Sequence, residues 1–429
     1  MRRRRLNRTD PTPSRREFLA RSTGAAFLPT AAATVTDLSP LLAAAGEHEN
    51  YWKLVRGQFS FRDEKVPMNA ANLCPASRVV ADRANDLTSD IDMDCSSQNR
   101  DKFVVMLEQA RNKVALQLGV SADEIAFVRN TSEANNTVSN GLRLASGDEI
   151  LLWDQNHPTN NVAWEVRAKR FGYRVRRMST PLSPSSREEL HDVFRNAFGP
   201  RTRVLAITHV SNTSGQRLPV KLLAESARQR GIYLHVDGAQ TWGAFKLNLG
   251  QLGVDSFAAS AHKWFCGPKE VGLLYIREER IAQVWPNIVS PGWGVDADPD
   301  MVGARKFESF GQRDDASLSA IGTAADFHNL ITPTRIEVRV LELAARLKTG
   351  FQELGIKMVT PADPVFSAGV CIAEVPKVNR QELLDRMYHG HGIAGSTAGG
   401  FRLCPHIYNT HEHIDRAIEG VKYLRHLVE

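Results

Sequence analysis

Two short stretches decide how this chain folds and what it can hold: VDGAQ at residues 236–240 and AASAHKWFCGPK at residues 258–269. In the first, Asp237 directly follows an apolar run, where an unpaired carboxylate is costly and needs a cation or a strong donor. In the second, Lys263 stands where a predicted strand runs into a Cys-Gly-Pro turn. Lysine is ordinarily a solvated surface charge, so this position predicts an amine with a covalent role.

Outward from these stretches, extended and helical patterns alternate along the chain. The extended runs lie at 124–128, 149–153, 173–178, 203–210, 232–236, 256–260 and 272–276. Most are separated by enough residues for a crossover helix, as in SREELHDVFRNAF and VKLLAESARQRG, which predicts a mainly parallel sheet covered on both faces. The last run follows its predecessor too closely for a helix, so we expect it to be antiparallel.

The pattern changes after about residue 310, where two helical stretches follow each other and the second one is long. We therefore predict an α/β fold with a large domain at 67–305 and a smaller C-terminal α+β domain at 306–429. An N-terminal arm at 46–66 is expected to fold back onto the smaller domain.

The first 45 residues carry most of the net charge. They hold eight arginines against three acidic residues, a local net of +5 in a chain whose total is +6. The rest is nearly neutral, which excludes a nucleic-acid footprint on its body. The motif SRREFL and the alanine-rich stretch after it resemble a twin-arginine signal peptide at 1–45, with cleavage near Ala45. We expect export by the twin-arginine machinery to the periplasm or cell exterior; a disordered basic extension is the alternative.

The five cysteines are scattered and contain no CxxC pair, so neither a zinc ribbon nor a disulfide framework is indicated. His406, His411 and His413 lie close together near the C-terminus, but no acidic or cysteine partner stands at ligand spacing. A helix beginning near Thr410 explains them better, and no metal site is predicted.

Polar residues follow one predicted strand after another, at the edge where parallel sheets bind ligands. Thr131 and Ser132 open a helix whose N-terminus could hold a phosphate, although a plain helix cap is equally consistent. His157 and Asn212 follow later strands, and each alone is as well explained by loop packing.

Taken together with Asp237 and Lys263, the ordered set matches the requirements of one cofactor. Pyridoxal phosphate needs an amine for a Schiff base, an acid to keep its ring nitrogen protonated, and donors for its phosphate.

The motifs VDGAQ, SAHKWFCGPKEVGLLYI, NTSEANN, HVSN and FRLCPHIYNTHEHID strongly resemble the class V aminotransferase family of fold-type I pyridoxal-phosphate enzymes. That family includes cysteine desulfurases and isopenicillin N epimerase-like proteins, and the resemblance runs from about residue 65 to the C-terminus. It implies the fold-type I architecture, pyridoxal 5'-phosphate as cofactor, and a homodimer with the cofactor site at the subunit interface.

The resemblance also implies a role for each strand-end residue. Lys263 matches the catalytic Schiff-base lysine, Asp237 the partner of the pyridinium nitrogen, and His157 the residue stacked on the ring. The other matches are Gln240 at the phenolic oxygen, Thr131, Ser132, Ser260 and His262 at the phosphate, Gln312 at the phosphate from the second subunit, and Asn212 and Arg402 at the substrate α-carboxylate. A guanidinium fork suits a carboxylate, because it binds both oxygens.

The resemblance leaves the reaction open. Cysteine desulfurases carry a cysteine shortly before the C-terminal arginine, whereas YHGHGIAGSTAGGFRLC has none upstream of Arg402, and Cys404 is interpreted as a packing residue. This disfavours desulfurase or C–S lyase activity. We expect transamination or epimerisation at the α-carbon of a small amino-acid or peptide-like substrate.

Two alternatives remain from the sequence. Exported members of the family modify a side chain of a peptide siderophore, so oxidative or decarboxylating tailoring is the main competitor. A binding module without chemistry is disfavoured, because the lysine, the aspartate and the arginine are all retained.

Overall fold

The computed structural model describes residue 38, residues 49–290 and residues 303–428. The predicted export signal and its cleavage point near Ala45 lie outside the described residues, apart from residue 38.

A seven-stranded sheet forms the centre of the large domain. Its strands are β2 Ile125–Val128, β3 Glu149–Trp153, β4 Arg174–Met178, β5 Thr202–Thr208, β6 Tyr233–Asp237, β7 Ser256–Ser260 and β8 Gly272–Ile276. The strand order is β2-β8-β7-β6-β5-β3-β4, and the pairs between β7 and β4 are all parallel. Strand β8 is antiparallel to both of its neighbours. The predicted α/β class, the mainly parallel sheet and the antiparallel last strand are therefore confirmed.

Helices cover the sheet and connect its parallel strands. In the first part of the described chain they are α1 Glu49–Arg56, α2 Arg78–Met93, α3 Ser97–Leu118, α4 Thr131–Gly141, α5 Pro158–Phe171, α6 Arg187–Arg195, α7 Val220–Gln229, α8 Leu249–Leu252 and α9 Glu278–Ile281. Their ends follow local capping rules. Helix α3 begins after Ser96, whose side chain accepts from the Asn99 N–H, and it ends at Gly119 in the left-handed conformation (φ +65°).

Smaller sheets and longer helices form the C-terminal part. The helices are α10 Asp315–Ile331, α11 Pro333–Glu353, α12 Arg380–His391 and α13 His411–Tyr423, and the short strands are β9 Cys371–Ala373, β10 Ile393–Ala394 and β11 Phe401–Leu403. Strand β11 pairs antiparallel with β9, while β10 pairs with β1, Val66–Pro67, from the N-terminal region. Helix α13 begins directly after Thr410, as predicted.

Among the described residues, the two largest buried apolar clusters support the two domains, and a third covers the other face of the large sheet. The larger contains the apolar residues of the sheet's inner face and of α10, which packs on α2 and α3. The smaller is formed by the C-terminal half of α11 together with α12, α13 and the short strands. Helix α1 lies against the small domain, since Lys53 pairs with Glu412 and Glu49 accepts from the His411 N–H. The domain limits themselves stay a prediction.

Given their lengths and hydropathy, none of the helices in the described ranges could bridge a lipid bilayer.

Candidate active site

The carboxyl ends of five strands meet at one edge of the large sheet. Strands β3, β5, β6 and β7 are parallel, and β2 runs in the same direction because β8 is antiparallel to both β7 and β2. The chain reverses its order between β3 and β5, and such a switch point opens a crevice outside the strand ends. The residues that follow these strands are therefore those that can meet a ligand.

Asp237 ends β6 and is almost fully buried. Its two carboxylate oxygens accept from the Asn135 side chain at 2.9 Å and from the Ala239 N–H at 3.0 Å. Asn135 in turn bonds to His235 Nε2 at 3.0 Å, and His235 Nδ1 lies 2.8 Å from Ser256 Oγ. Burial lowers the pKa of His235 to about 3, so the imidazole is neutral. This chain of neutral groups orients the carboxylate without cancelling its charge.

Lys263 lies in the turn after β7 and is partly buried. Its ammonium forms no hydrogen bond within the part of the chain that the structure describes. Burial lowers the pKa of Lys263, the charge of Asp237 opposes that shift, and the charge of Arg402 adds to it. The result is an amine that is more readily uncharged than an ordinary lysine, and therefore more nucleophilic.

The N-terminus of α4 and the end of β7 are joined directly. Ser260 Oγ accepts from the Thr131 N–H at 2.8 Å and lies 2.6 Å from Thr131 Oγ1. Ser132 follows in the first turn and reaches Thr159 Oγ1 at 3.4 Å. First-turn N–H groups lack partners inside a helix and attract anions. The structure thus places Thr131, Ser132 and Ser260 together at the N-terminus of α4, and their role in binding a phosphate stays a prediction.

Two histidines border this position. His157 caps α5, with its Nδ1 2.8 Å from Thr159 Oγ1, and burial is the main cause that lowers its pKa. His262 precedes the lysine, and burial followed by the charge of Lys263 lowers its pKa to about 4. Both rings are therefore neutral near pH 7, which favours stacking and hydrogen bonding over charge pairing.

Arg402 lies on β11 and brings a buried guanidinium to the same region. It donates to the Asn212 carbonyl at 2.9 Å and to Asn69 Oδ1 at 3.0 Å. Its Nε and the Asn212 Oδ1 are buried and have no partner among the described residues. Thr208 Oγ1, at the end of β5 and in register with Asp237, is equally unpartnered. These unpaired polar atoms lie around the space that a ligand would enter.

Two predicted residues are less clearly directed at this space. Gln240 is buried, but its amide donates to the Ala71 carbonyl at 3.0 Å and accepts from Trp264 Nε1 at 2.8 Å, which leaves one N–H. Gln312 is exposed and donates only to the carbonyl of its neighbour Arg313. The role of each stays a prediction.

Sequence reasoning missed three residues at this edge: Asn69, Asn135 and Thr208. Asn135 lies one helical turn after Thr131, so its spacing placed it on the same face of α4 and could have revealed it. Asn69 and Thr208 carried no such signal.

The residues present fit pyridoxal phosphate. The structure combines an unbonded lysine amine, a buried carboxylate, a helix N-terminus lined by hydroxyl groups, and a buried arginine with an unused N–H. Lys263 would hold the aldehyde carbon, Asp237 the ring nitrogen, and Thr131, Ser132 and Ser260 the phosphate.

Comparisons with known proteins agree with this fit. The family model "Aminotransferase class-V" matches residues 86–416. The chain is 32% identical over 396 residues to isopenicillin N epimerase of Amycolatopsis lactamdurans, covering 87% of this chain and 98% of that protein. It is 38% identical over 184 residues to a cysteine desulfurase of Klebsiella pneumoniae, covering 42% of this chain and 44% of that protein.

A solved structure shares the fold. The apo cysteine desulfurase from Thermococcus onnurineus matches with a TM-score of 0.77 at 22% identity, covering 87% of this chain and 97% of that one. The family match, the epimerase relative and this shared architecture agree with the site built above. The chain belongs to the class-V aminotransferase family of fold-type I enzymes, and its cofactor is pyridoxal phosphate.

Proposed function

We propose that this protein is an exported enzyme that acts at the α-carbon of an amino acid or of a peptide-like substrate, by epimerisation or transamination. The observation that carries the proposal is the placement of one amine, one buried carboxylate and one buried arginine with an unused N–H around the same strand ends. The near full-length relation to an isopenicillin N epimerase supports the α-carbon as the reacting centre.

In this proposal each polar side chain of the site has a separate role in the reaction. When bound, pyridoxal phosphate acts as an electron sink that acidifies the α-carbon of an attached amino acid. Arg402 binds the α-carboxylate through its fork, and the side-chain N–H of Asn212 donates to the same carboxylate. Lys263 Nζ takes the α-proton, since burial favours its uncharged form. Asp237 keeps the ring nitrogen protonated.

Sulfur transfer is a weaker proposal for this chain, although cysteine desulfurases are among its relatives. No cysteine occurs between Cys371 and Cys404. Cys404 is fully buried, and burial raises the pKa of its thiol, so it is a poor nucleophile.

Export and dimer formation complete the proposal. The paired arginines at 15 and 16, followed by Phe18 and Leu19, support the twin-arginine route. An exposed Gln312 is available to a second subunit, which supports a homodimer.

The decisive experiment combines borohydride reduction with product analysis. Reduction of the purified protein should add the cofactor's mass to the peptide that contains Lys263. A separate, unreduced sample incubated in D2O with amino acids, isopenicillin N and siderophore peptides should give deuterium at the α-carbon with inversion for an epimerase, or a keto acid for a transaminase. A peptide without added mass, or loss of carbon dioxide or sulfide in place of α-exchange, would contradict the proposal.

A further inference from the structure

A second cluster of reactive side chains lies beneath the Lys263 turn and has no part in the proposed function. The thiol sulfurs of Cys74 and Cys266 and a ring nitrogen of His406 lie within 4.8 Å of one another, and all three residues are buried. They come from three distant parts of the chain, which explains why sequence spacing did not reveal them. We propose that these three residues form a site for a thiophilic d10 cation, Zn²⁺ or Cu⁺.

The state of His406 is the independent observation. Its Nε2 lies 2.6 Å from the Trp264 carbonyl oxygen, which can only accept, so Nε2 carries the proton. Nδ1 therefore presents a lone pair, and it is buried without any hydrogen-bond partner among the described residues. A histidine that donates one ring N–H to a backbone carbonyl and leaves its other ring nitrogen buried and unpartnered, with two thiols nearby, has the arrangement of a metal ligand. Burial lowers the pKa of His406 to about 3, so the lone pair stays available.

The dimensions suit a small soft ion. Thiolate sulfur binds Zn²⁺ at about 2.3 Å and imidazole nitrogen at about 2.0–2.1 Å, so ligand atoms around one ion lie roughly 3.5–4 Å apart. The ligand atoms lie within 4.8 Å of one another, so a contraction of at most about 1 Å would bring them to that spacing. Soft thiolate and imidazole ligands select Zn²⁺ and Cu⁺ over the hard cations.

The charges also balance. Burial raises the pKa of the Cys266 thiol, so the ion itself must displace the thiol proton. Both thiols would then lose their protons to solvent and bind as thiolates, and a divalent ion would make the buried site neutral. A monovalent ion leaves one negative charge, and the ammonium of Lys269, 3.4 Å from the Cys74 carbonyl, lies close enough to offset it. The Tyr408 hydroxyl donates to the Cys74 sulfur at 3.4 Å, as expected of a group that supports a thiolate.

The ion would fasten the turn that carries the lysine. Cys74 N–H donates to the His262 carbonyl at 2.8 Å, Cys266 N–H to the Lys263 carbonyl at 2.9 Å, and His406 to the Trp264 carbonyl. Every ligand is thus bonded to one of three consecutive residues, 262–264. The bound ion would connect three chain segments at the base of the candidate active site.

The test uses the full-length holoprotein, metal-depleted and then dialysed against Zn²⁺ alone or Cu⁺ alone. We expect one ion per chain by mass spectrometry of the metal, with about two protons released per ion in an unbuffered titration. Cys266→Ser should lose the ion. Cys371→Ser, which alters another buried cysteine outside the cluster, should keep it.

Three results would overturn the proposal. They are no binding of either ion by the wild-type protein, equal binding by Cys266→Ser, and a native mass two hydrogens lighter with Cys74 and Cys266 joined as a disulfide. The wild-type measurements decide the matter even if a variant fails to fold. They are also independent of catalytic turnover, so failure of the proposed function leaves this test intact.

Discussion

Two regions of the molecule each hold a lysine away from water, and the two lysines differ in their hydrogen bonds. In the small domain, Lys348 donates to the carbonyls of Pro361 and Ala362 and to Ser367 Oγ, at 3.2, 2.9 and 2.8 Å. At the strand ends, Lys263 has no hydrogen bond to any described residue. Burial lowers the pKa of both. The satisfied lysine serves structure, and the unsatisfied one is kept available for a ligand.

Arginine shows the same contrast. Arg111 on α3 bonds to Glu108, to Glu308 and to the Ile125 carbonyl, and its guanidinium is fully enclosed. Arg402 keeps an unused Nε at the strand ends. Buried charges are therefore informative chiefly through the hydrogen bonds that they have not made.

The largest expected effect comes from replacing each of the two lysines, which tests whether Lys263 and Lys348 have different roles. We expect Lys263→Ala to lower turnover by roughly 10³-fold or more, since a positioned acid–base group alone contributes about 10²–10⁴-fold. Lys348→Met should keep turnover within about threefold but lower the free energy of unfolding by roughly 1–3 kcal/mol, because it leaves buried acceptors unpaired. Steady-state turnover and thermal unfolding measure the two effects separately. Equal loss of turnover in both variants would remove the distinction.

The arginines provide the next largest effect. Arg402→Gln should reduce kcat/KM by about 10- to 150-fold, which corresponds to roughly 1.5–3 kcal/mol for a charged hydrogen bond. Arg111→Gln should leave KM unchanged and destabilise the fold by about 3–5 kcal/mol, because it leaves buried carboxylates uncompensated. Steady-state kinetics across substrates with and without an α-carboxylate would check the first expectation; the loss should vanish when that carboxylate is absent.

The buried ion pairs of Glu108 with Arg111 and Arg305 should also affect how stability falls with pH during acid unfolding. Burial alone would raise the pKa of Glu108, but Arg305 and Arg111 lower it to about 2 from an ordinary value of 4.5. A carboxyl with a depressed folded-state pKa stabilises above its unfolded pKa, and this contribution is lost as the pH falls from 4.5 towards 2. Glu108→Gln should therefore be less stable at pH 7 and lose less stability over that interval. An acid-unfolding curve as steep as that of the wild type would contradict the assignment.

The smallest expected effect concerns the proposed dimer. Gln312→Ala should speed cofactor release by about twofold to fivefold, which corresponds to the loss of one solvent-exposed hydrogen bond worth roughly 0.5–1 kcal/mol. Gln381→Ala, on the exposed face of α12, is the control and should change nothing. Dissociation of the cofactor, followed by absorbance after dilution, measures both. No difference between the two variants would leave Gln312 without a role at the phosphate.

The sequence predicted the fold well because the strands are apolar and evenly spaced. The runs 149–153, 256–260 and 272–276 match β3, β7 and β8 at both ends. The apolar spacing of residues 100–119 predicts a helix, and α3 begins three residues earlier, at Ser97, because Ser96 caps it. The position of polar residues after the strands then predicted which side chains gather at one edge of the sheet, since a parallel sheet brings strand ends together regardless of their separation along the chain.

The sequence could not predict the contacts between distant segments, because these contacts follow no periodic sequence pattern. Asn69 reaches Arg402 across 333 residues, and His406 meets Cys74 and Cys266 only through tertiary packing. The amide of Gln240 is likewise engaged with Ala71, which a motif match could not show. Long-range polar pairs depend on how the loops close over the sheet, and the amino-acid composition contains no information about loop closure.

The three carbonyls at 262–264 have a consequence for how fast the enzyme can work. Because each of them is bonded to the core beneath, the backbone there has little freedom, and the Lys263 amine travels only by rotation about its own methylene stem. Such rotamer hops take picoseconds to nanoseconds, far faster than loop motion. Movement of the amine is therefore too fast to limit turnover, and the rate depends on the barrier to proton transfer itself and on the arrival of substrate and the departure of product.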